Sequence, residues 1–313
     1  MLRLQKTYQG NYLQLPLTLS RILERGENML SYMPVEANAE KLRSYSTLFK
    51  ACFPAATHLN AEYLQWLYAS NPDGPVVGYD AYDGDRLAAH YVCVPVSLSL
   101  FGQAVRGLLS LNTATHPDYQ GKGLFTTLAA KTYDYAAERG YTAVYGVANA
   151  NSTPGFIRKL GFDLVAPLQA RIGIGASFTA EWDKAESTAQ FRRIWNDETI
   201  AWRCRNPANP SVIVRAGHGE LQVRAKTDKP LISAWARVHG NFTVSAAAKP
   251  IATPGTLFLG LFPEGSYRYG LAFNIPQRLR PSPLNFIYRP LGGDKTKLES
   301  GNIICSYIDF DAY

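Results

Sequence analysis

From Asn38 onward the apolar positions repeat at two spacings, and the changes between them divide the chain into elements. Leu42, Tyr45, Leu48, Phe49 and Cys52 recur every three or four residues, the repeat of a helix with one buried face, and Pro54 ends it. Asn60 is a cap by residue type; Tyr63, Leu64 and Leu67 carry the same spacing to Ser70, where Asn71-Pro72-Asp73-Gly74 breaks the chain. Apolar runs over 75–81, 86–100 and 105–114 are separated by Asp83-Gly84 and Phe101-Gly102, which predicts three strands joined by hairpins. Next come a helix over 123–139 stopped by Gly140, a strand over 142–147, a helix ending at Leu160, and strands to Val165 and over 169–174. With a short strand at 31–35, residues 30–175 read β-α-α-β-β-β-α-β-α-β-β. That order predicts an α/β (α+β) layer with a mixed sheet rather than alternating βαβ units.

The pattern returns in the second half. Asn60-Ala61-Glu62-Tyr63-Leu64-Gln65-Trp66 is matched by Asn196-Asp197-Glu198-Thr199-Ile200-Ala201-Trp202, and Asn71-Pro72 by Asn206-Pro207. Residues 186–313 therefore read as a second, degenerate copy of the fold. Its strands, over 231–238, 256–262, 284–288 and 302–308, read as scaffold and substrate wall. Residues 1–29 read as an extension, with a short amphipathic helix over 16–26. Trp66 and Trp202 read as core or interdomain packing, and His90, in an apolar strand, as a satisfied interior group.

Composition narrows the class. With 46% hydrophobic and 18% charged residues the chain is a folded protein, not a disordered one. No apolar run reaches the length of a membrane span, and the first residues lack the apolar core of a signal peptide, so a cytoplasmic protein is expected. Cys52, Cys93, Cys204 and Cys305 lie far apart with no paired spacing, which argues against a zinc site or a disulfide framework. The net charge of +7 suits an anionic ligand, but the basic residues are scattered, which argues against duplex nucleic acid.

Candidate chemistry gathers at Thr115-His116-Pro117-Asp118-Tyr119-Gln120-Gly121-Lys122-Gly123-Leu124-Phe125. Gly121 and Gly123 let backbone approach a ligand closely, and the helix that follows offers unpaired N–H groups and a positive dipole end, a cradle for a diphosphate. Gln120-Gly121-Lys122-Gly123 resembles the acyl-CoA-binding motif of the GNAT N-acetyltransferase superfamily, Gln/Arg-x-x-Gly-x-Gly/Ala. The helix that follows Asn149-Ala150-Asn151-Ser152, ending in Arg158-Lys159-Leu160-Gly161-Phe162, resembles its second signature.

The resemblance implies acetyl-CoA, or another acyl-CoA, as co-substrate, no metal, and a small-molecule amine as acceptor, plausibly an amino sugar. It implies that N–H groups from Gly121 through Lys122, Gly123 and Leu124 to Phe125 hold the pyrophosphate, with the Lys122 charge at the rim. The strand edge at Ala114, Thr115 and His116 would pair with the pantetheine amides, and Asn149 or Asn151, in the turn with Ser152, would bond the pantetheine arm. Phe125 stands where the motif ends in Gly or Ala and is expected to point into the core or shape the acyl pocket. Two proton-handling residues are missing: Ile157 replaces the usual tyrosine acid, and Asn112 stands where a carboxylate base is common. His116 is the candidate base and Tyr145 the candidate acid, with the Tyr313 carboxylate a further base. Two other readings stay open, an aminoacyl-tRNA-dependent transferase of the tandem kind and a non-catalytic acyl-CoA-binding module.

Overall fold

A computed structural model describes residues 30–174, 178–217, 219–244, 251, 253–280, 282–293 and 296–310. The expected N-terminal helix and Tyr313 lie outside the described residues. In the first half the elements are β1 (Ser31–Pro34), α1 (Ala39–Cys52), α2 (Ala61–Leu64), β2 (Val77–Asp83), β3 (Arg86–Leu100), β4 (Gln103–Thr115), α3 (Leu124–Glu138), β5 (Ala143–Ala148), α4 (Thr153–Leu160), β6 (Asp163–Pro167) and β7 (Gln169–Ile174). The second half holds β8 (Phe178–Ala180), α5 (Trp182–Thr188), β9 (Phe191–Arg193), α6 (Asp197–Cys204), β10 (Val212–Gly217), β11 (Glu220–Lys226), β12 (Ile232–His239), β13 (Gly255–Leu261), β14 (Tyr267–Tyr269), β15 (Ala272–Asn274), β16 (Asn285–Pro290) and β17 (Ile303–Ser306).

Helices α2 and α6 start in the same way. The Asn60 side chain accepts from Tyr63 N–H, and the Asn196 side chain from Thr199 N–H, so each asparagine satisfies a donor the helix would otherwise leave unpaired. Short α2 then widens into a π turn over Gln65–Ala69. That turn places Tyr68 Oη 3.0 Å from His90 Nε2, while His90 Nδ1 lies 2.6 Å from Asp80. The Tyr45 hydroxyl donates to the other Asp80 oxygen, so His90 is an interior group with both ring nitrogens partnered.

The sheet runs β1-β2-β3-β4-β5-β16-β6 in the first half; β4 and β5 are parallel and every other pair is antiparallel. In the second half it runs β10-β11-β12-β13-β7-β15, again with one parallel pair, β12 with β13. From β2 onward the first order matches the second strand for strand, and each half lends the other the strand beside its parallel pair. β16 sits between β5 and β6, and β7 sits between β13 and β15. β9 and β17 join the halves into one sheet, through Leu98↔Arg193 and Gly260↔Ser306.

Packing repeats the reciprocity. The Trp66 and Trp202 rings stack with centroids 5.1 Å apart; Trp66 Nε1 donates to Trp202 O at 2.9 Å and Trp202 Nε1 to Trp66 O at 3.0 Å. This is the contact of two like surfaces about a local twofold. One large apolar core, with Tyr45, Leu64, Trp66, Trp202, Val223 and Phe286, fills the space between the halves. A second, with Leu108, Leu128, Tyr133 and Ile287, lies under α3 on the opposite face of the first-half sheet. No helix among the described residues is long and apolar enough to cross a membrane.

Candidate active site

β4 and β5 pair at Gly107↔Ala143, Leu108↔Val144 and Leu109↔Tyr145, and there the pairing stops. Both strands run on, β4 to Thr115 and β5 to Ala148, so they diverge and leave a wedge in the sheet. A bulge in β4 bends it away. Val92 pairs with Leu111 and His90 with Ala114, so Asn112 and Thr113 together stand opposite Tyr91. Asn112 takes φ +49°, the left-handed region that asparagine tolerates better than most residues. Its side-chain Nδ2 is buried without a hydrogen-bond partner.

The glycine loop stands at the mouth of the wedge. Pro117–Tyr119 form a single 3-10 turn, closed by the His116 side chain accepting from Asp118 N–H. Tyr119 is buried beneath it and donates to Asp83 at 2.7 Å, with Lys122 Nζ 4.8 Å above its ring. Gly121 and Gly123 have φ +78° and +74°; a Cβ would meet nothing within 4 Å at the first and only Thr126 Oγ1 at 3.8 Å at the second. Backbone torsion, not crowding, therefore demands glycine here. Gly123 is the N-cap of α3 and brings no side chain to cap it. The Thr126 and Thr127 hydroxyls turn back to Gly123 O, which leaves the N–H groups at the start of α3 facing outward.

Phe125 points inward, as expected, against Tyr91 and Phe156. Gly155 makes room for it, since a Cβ there would lie 3.3 Å from the Phe125 ring. The strand edge is narrower than the sequence suggested. His116 N–H donates to Ala88 O at 2.9 Å, so His116 faces β3, and alternation along the strand turns Ala114 the same way and Thr115 toward the wedge. Thr115 O accepts the Cys52 thiol at 3.4 Å and a long contact from Gln120 Nε2 at 3.5 Å.

Asn149 organises the turn beyond β5. Its Oδ1 accepts from Asn151 N–H, Ser152 N–H and Ser152 Oγ, and its carbonyl accepts from Thr153. The side-chain oxygen is thus spent on the turn, and the Nδ2 amide is the donor left to face outward. Residues the sequence reading missed brace this turn from the second half. Ala150 N–H donates to Ser282 Oγ and Asn285 Nδ2 to Thr153 Oγ1. The one local signal for them was the alternation around Phe286 and Tyr288, which marks a strand but not its neighbours.

The two proton-handling candidates are not where acid–base work at the wedge would need them. Tyr145 is fully buried between Phe191 and Phe286, and its hydroxyl donates to Asp309 O. Burial raises its pKa well above that of an ordinary phenol, so its proton stays in the core. His116 is half-buried at the rim, with Arg86 Nη2 3.1 Å from its Nε2 and 2.6 Å from Asp118. Arg86 holds the Asp118 carboxyl below the usual range. Among the described residues no group of three His, Cys, Asp or Glu side chains gathers as a metal site.

The acetyltransferase (GNAT) domain family matches residues 35–165, the stretch that holds the bulge, the wedge, the glycine loop and the Asn149 turn. That part of the chain is similar to the acetyltransferase (GNAT) domain. Two solved structures share the fold over most of the chain. One is a conserved protein of unknown function and probable N-acyltransferase from Enterococcus faecalis V583. It is 11% identical, covers 84% of this chain and 73% of that one, and has a TM-score of 0.53. The other is a GCN5-related N-acetyltransferase from Anabaena variabilis ATCC 29413, 12% identical over 83% of this chain and 72% of that one, also with a TM-score of 0.53. No protein of curated function matches the chain in sequence.

Proposed function

We propose that this N-acyltransferase moves an acyl group, acetyl in the first instance, from acyl-CoA to the primary amine of a small molecule, with an amino sugar as the leading class of acceptor. The observation that carries this reading is the meeting of three features at one opening: diverging parallel strands, a bulge with an orphaned buried amide, and an uncapped helix start behind two left-handed glycines. N–H groups of Gly121 to Phe125 would hold the pyrophosphate, Lys122 would add a screened charge, and Thr115 and the Asn149 amide would take the pantetheine arm. The bound thioester supplies an activated acyl carbon. The amine forms its bond to that carbon as the carbon–sulfur bond breaks, and the proton it sheds ends on the thiolate.

With Tyr145 in the core and Ile157 apolar, the rate rests on holding a neutral amine against the acyl carbon. We assign His116, at the loop end of the wedge, to cofactor binding. The matched strand orders and the reciprocal Trp66–Trp202 contact support reading residues 30–175 and 186–313 as two tandem copies that exchange a strand, the second degenerate.

The test is release of CoA thiol from acetyl-CoA with glucosamine, polyamines and amino acids, against a blank without amine. Amine-dependent release is expected, with at least one acceptor saturating. Tight acetyl-CoA binding with no release for any amine would replace the enzyme by a binding module, and release only from aminoacyl-tRNA would replace the acyl donor.

A further inference from the structure

Asn112 carries two oddities at once. Its backbone is left-handed in the middle of a strand, and its side-chain nitrogen is buried with nothing to bond. An asparagine kept for its turn geometry bonds its own neighbouring backbone, as Asn149 does. Asn112 makes no such bond. Among the described residues other buried orphans occur on Asp73, Asp83, Arg193 and Arg237, but each of those side chains holds another partner: Ser97, Tyr119, Asp73 and Glu220 respectively. A buried donor with no partner and a strained backbone persist together where a ligand uses them.

Position says which part of the ligand. Asn112 lies just past Leu109, the last β4 residue paired to β5, so it marks the deep end of the wedge. The glycine loop marks the mouth. Asn112 to His116 spans about 13 Å of strand at ~3.3 Å per residue. If the loop takes the pyrophosphate, the opposite end of the co-substrate, its acyl group, arrives at Asn112. The bulge adds a residue to β4 here, so position 112 departs from the strand's regular alternation.

We infer that Asn112 Nδ2 donates a hydrogen bond to the acyl carbonyl oxygen of the bound thioester, so that the site distinguishes acyl-CoA from free CoA. The residue replacing the usual carboxylate is then a donor to the acyl group rather than a base. This inference rests on the acyl-CoA reading of the cleft, and the experiment separates the two.

Calorimetric titration of acetyl-CoA and of CoA is run on the wild type, on Asn112→Gly and on Asn112→Asp. Glycine and aspartate both accept the left-handed backbone, so neither variant is expected to unfold. The wild type should bind acetyl-CoA about 3- to 10-fold tighter than CoA, the worth of one such bond. Asn112→Gly should erase the preference while leaving CoA affinity within about twofold, and Asn112→Asp should reverse it. A second readout is the infrared carbonyl band of isotope-labelled acetyl-CoA, which should move to lower frequency on binding to the wild type and stay at its solution position in Asn112→Gly. An unchanged acetyl-CoA to CoA ratio in both variants, or no carbonyl shift in the wild type, overturns the inference and leaves the cleft assignment standing. Failure of the wild type to bind either compound overturns both.

Discussion

The sheet opens twice, and the two openings are built differently. β12 and β13 pair at Ile232↔Gly255, Ser233↔Thr256 and Ala234↔Leu257 and then part, just as β4 and β5 do after their own parallel pairs. In the second opening Trp182 of α5 stacks on His239, and Trp235, Phe258 and Phe262 close around it. Glu220 holds both the Trp182 indole and Arg237, and the remaining cavity is about 30 Å³, room for two or three waters. β11 and β12 pair without a shift from Glu220↔His239 to Lys226↔Ser233, and residues 240–244 after β12 form no helix. Strand order alone therefore does not make a site. The bulge at Asn112 and the helix started by Gly123, on which the proposed site rests, both occur in the first half.

The largest expected effect comes from blocking the one helix start. Gly123→Trp sets a side chain in a left-handed position at the mouth and should weaken acetyl-CoA binding by about 100-fold, roughly 2.7 kcal/mol. The left-handed backbone strains any side chain at this position, so the melting temperature should fall, although the added Cβ meets only Thr126 Oγ1 at 3.8 Å; binding is therefore compared well below both midpoints. Unchanged binding would move the site away from this loop.

The second prediction concerns what the halves share. Trp66→Ala or Trp202→Ala removes a buried indole and should cost about 3–5 kcal/mol in urea unfolding. The two indoles bond each other's backbone, so the double variant should lose clearly less than the sum. Additive losses would mean that the contact does not couple the halves.

How far the sequence led differs by feature. The limits of β3 and β7 and the Asn60 cap were legible, because periodicity and cap chemistry are local. The glycine loop was legible for the same reason. The exchange of β7 and β16 was not, since a strand's own alternation tells which face is buried and nothing about its neighbours. Helix α5 was missed because only Trp182 and Ala185 of its seven residues are buried, too few to set a period. The candidate acid Tyr145 failed for a related reason: its place near the end of a strand was visible, but the aromatic rings that seal it, Phe191 and Phe286, come from elsewhere in the chain.

A smaller effect is expected from the lent strand. Asn285→Ala removes the bond to Thr153 and should raise the KM for acetyl-CoA about threefold, the worth of a single half-buried hydrogen bond. The kcat should hold, and an unaltered KM would show that the second half does not brace the Asn149 turn.

The smallest signal is chemical. Burial pushes the thiols of Cys93 and Cys204 up to about 12, and that of Cys305 well above its ordinary value. Cys52, half-buried beside Thr115 O, is raised less. Iodoacetamide should therefore label Cys52 first. Because its folded pKa is raised, the rate should climb with pH through a midpoint above about 8.5, the free-thiol value. Acetyl-CoA in the wedge should slow the labelling. A midpoint at the ordinary value, or no protection, would place Cys52 away from the bound arm.

The contrast between the two openings is tested most directly by the stoichiometry of acetyl-CoA binding to the wild-type chain in a calorimetric titration. One molecule per chain, lost in Gly123→Trp, is the predicted result. Two molecules per chain, or one that survives Gly123→Trp, would contradict it.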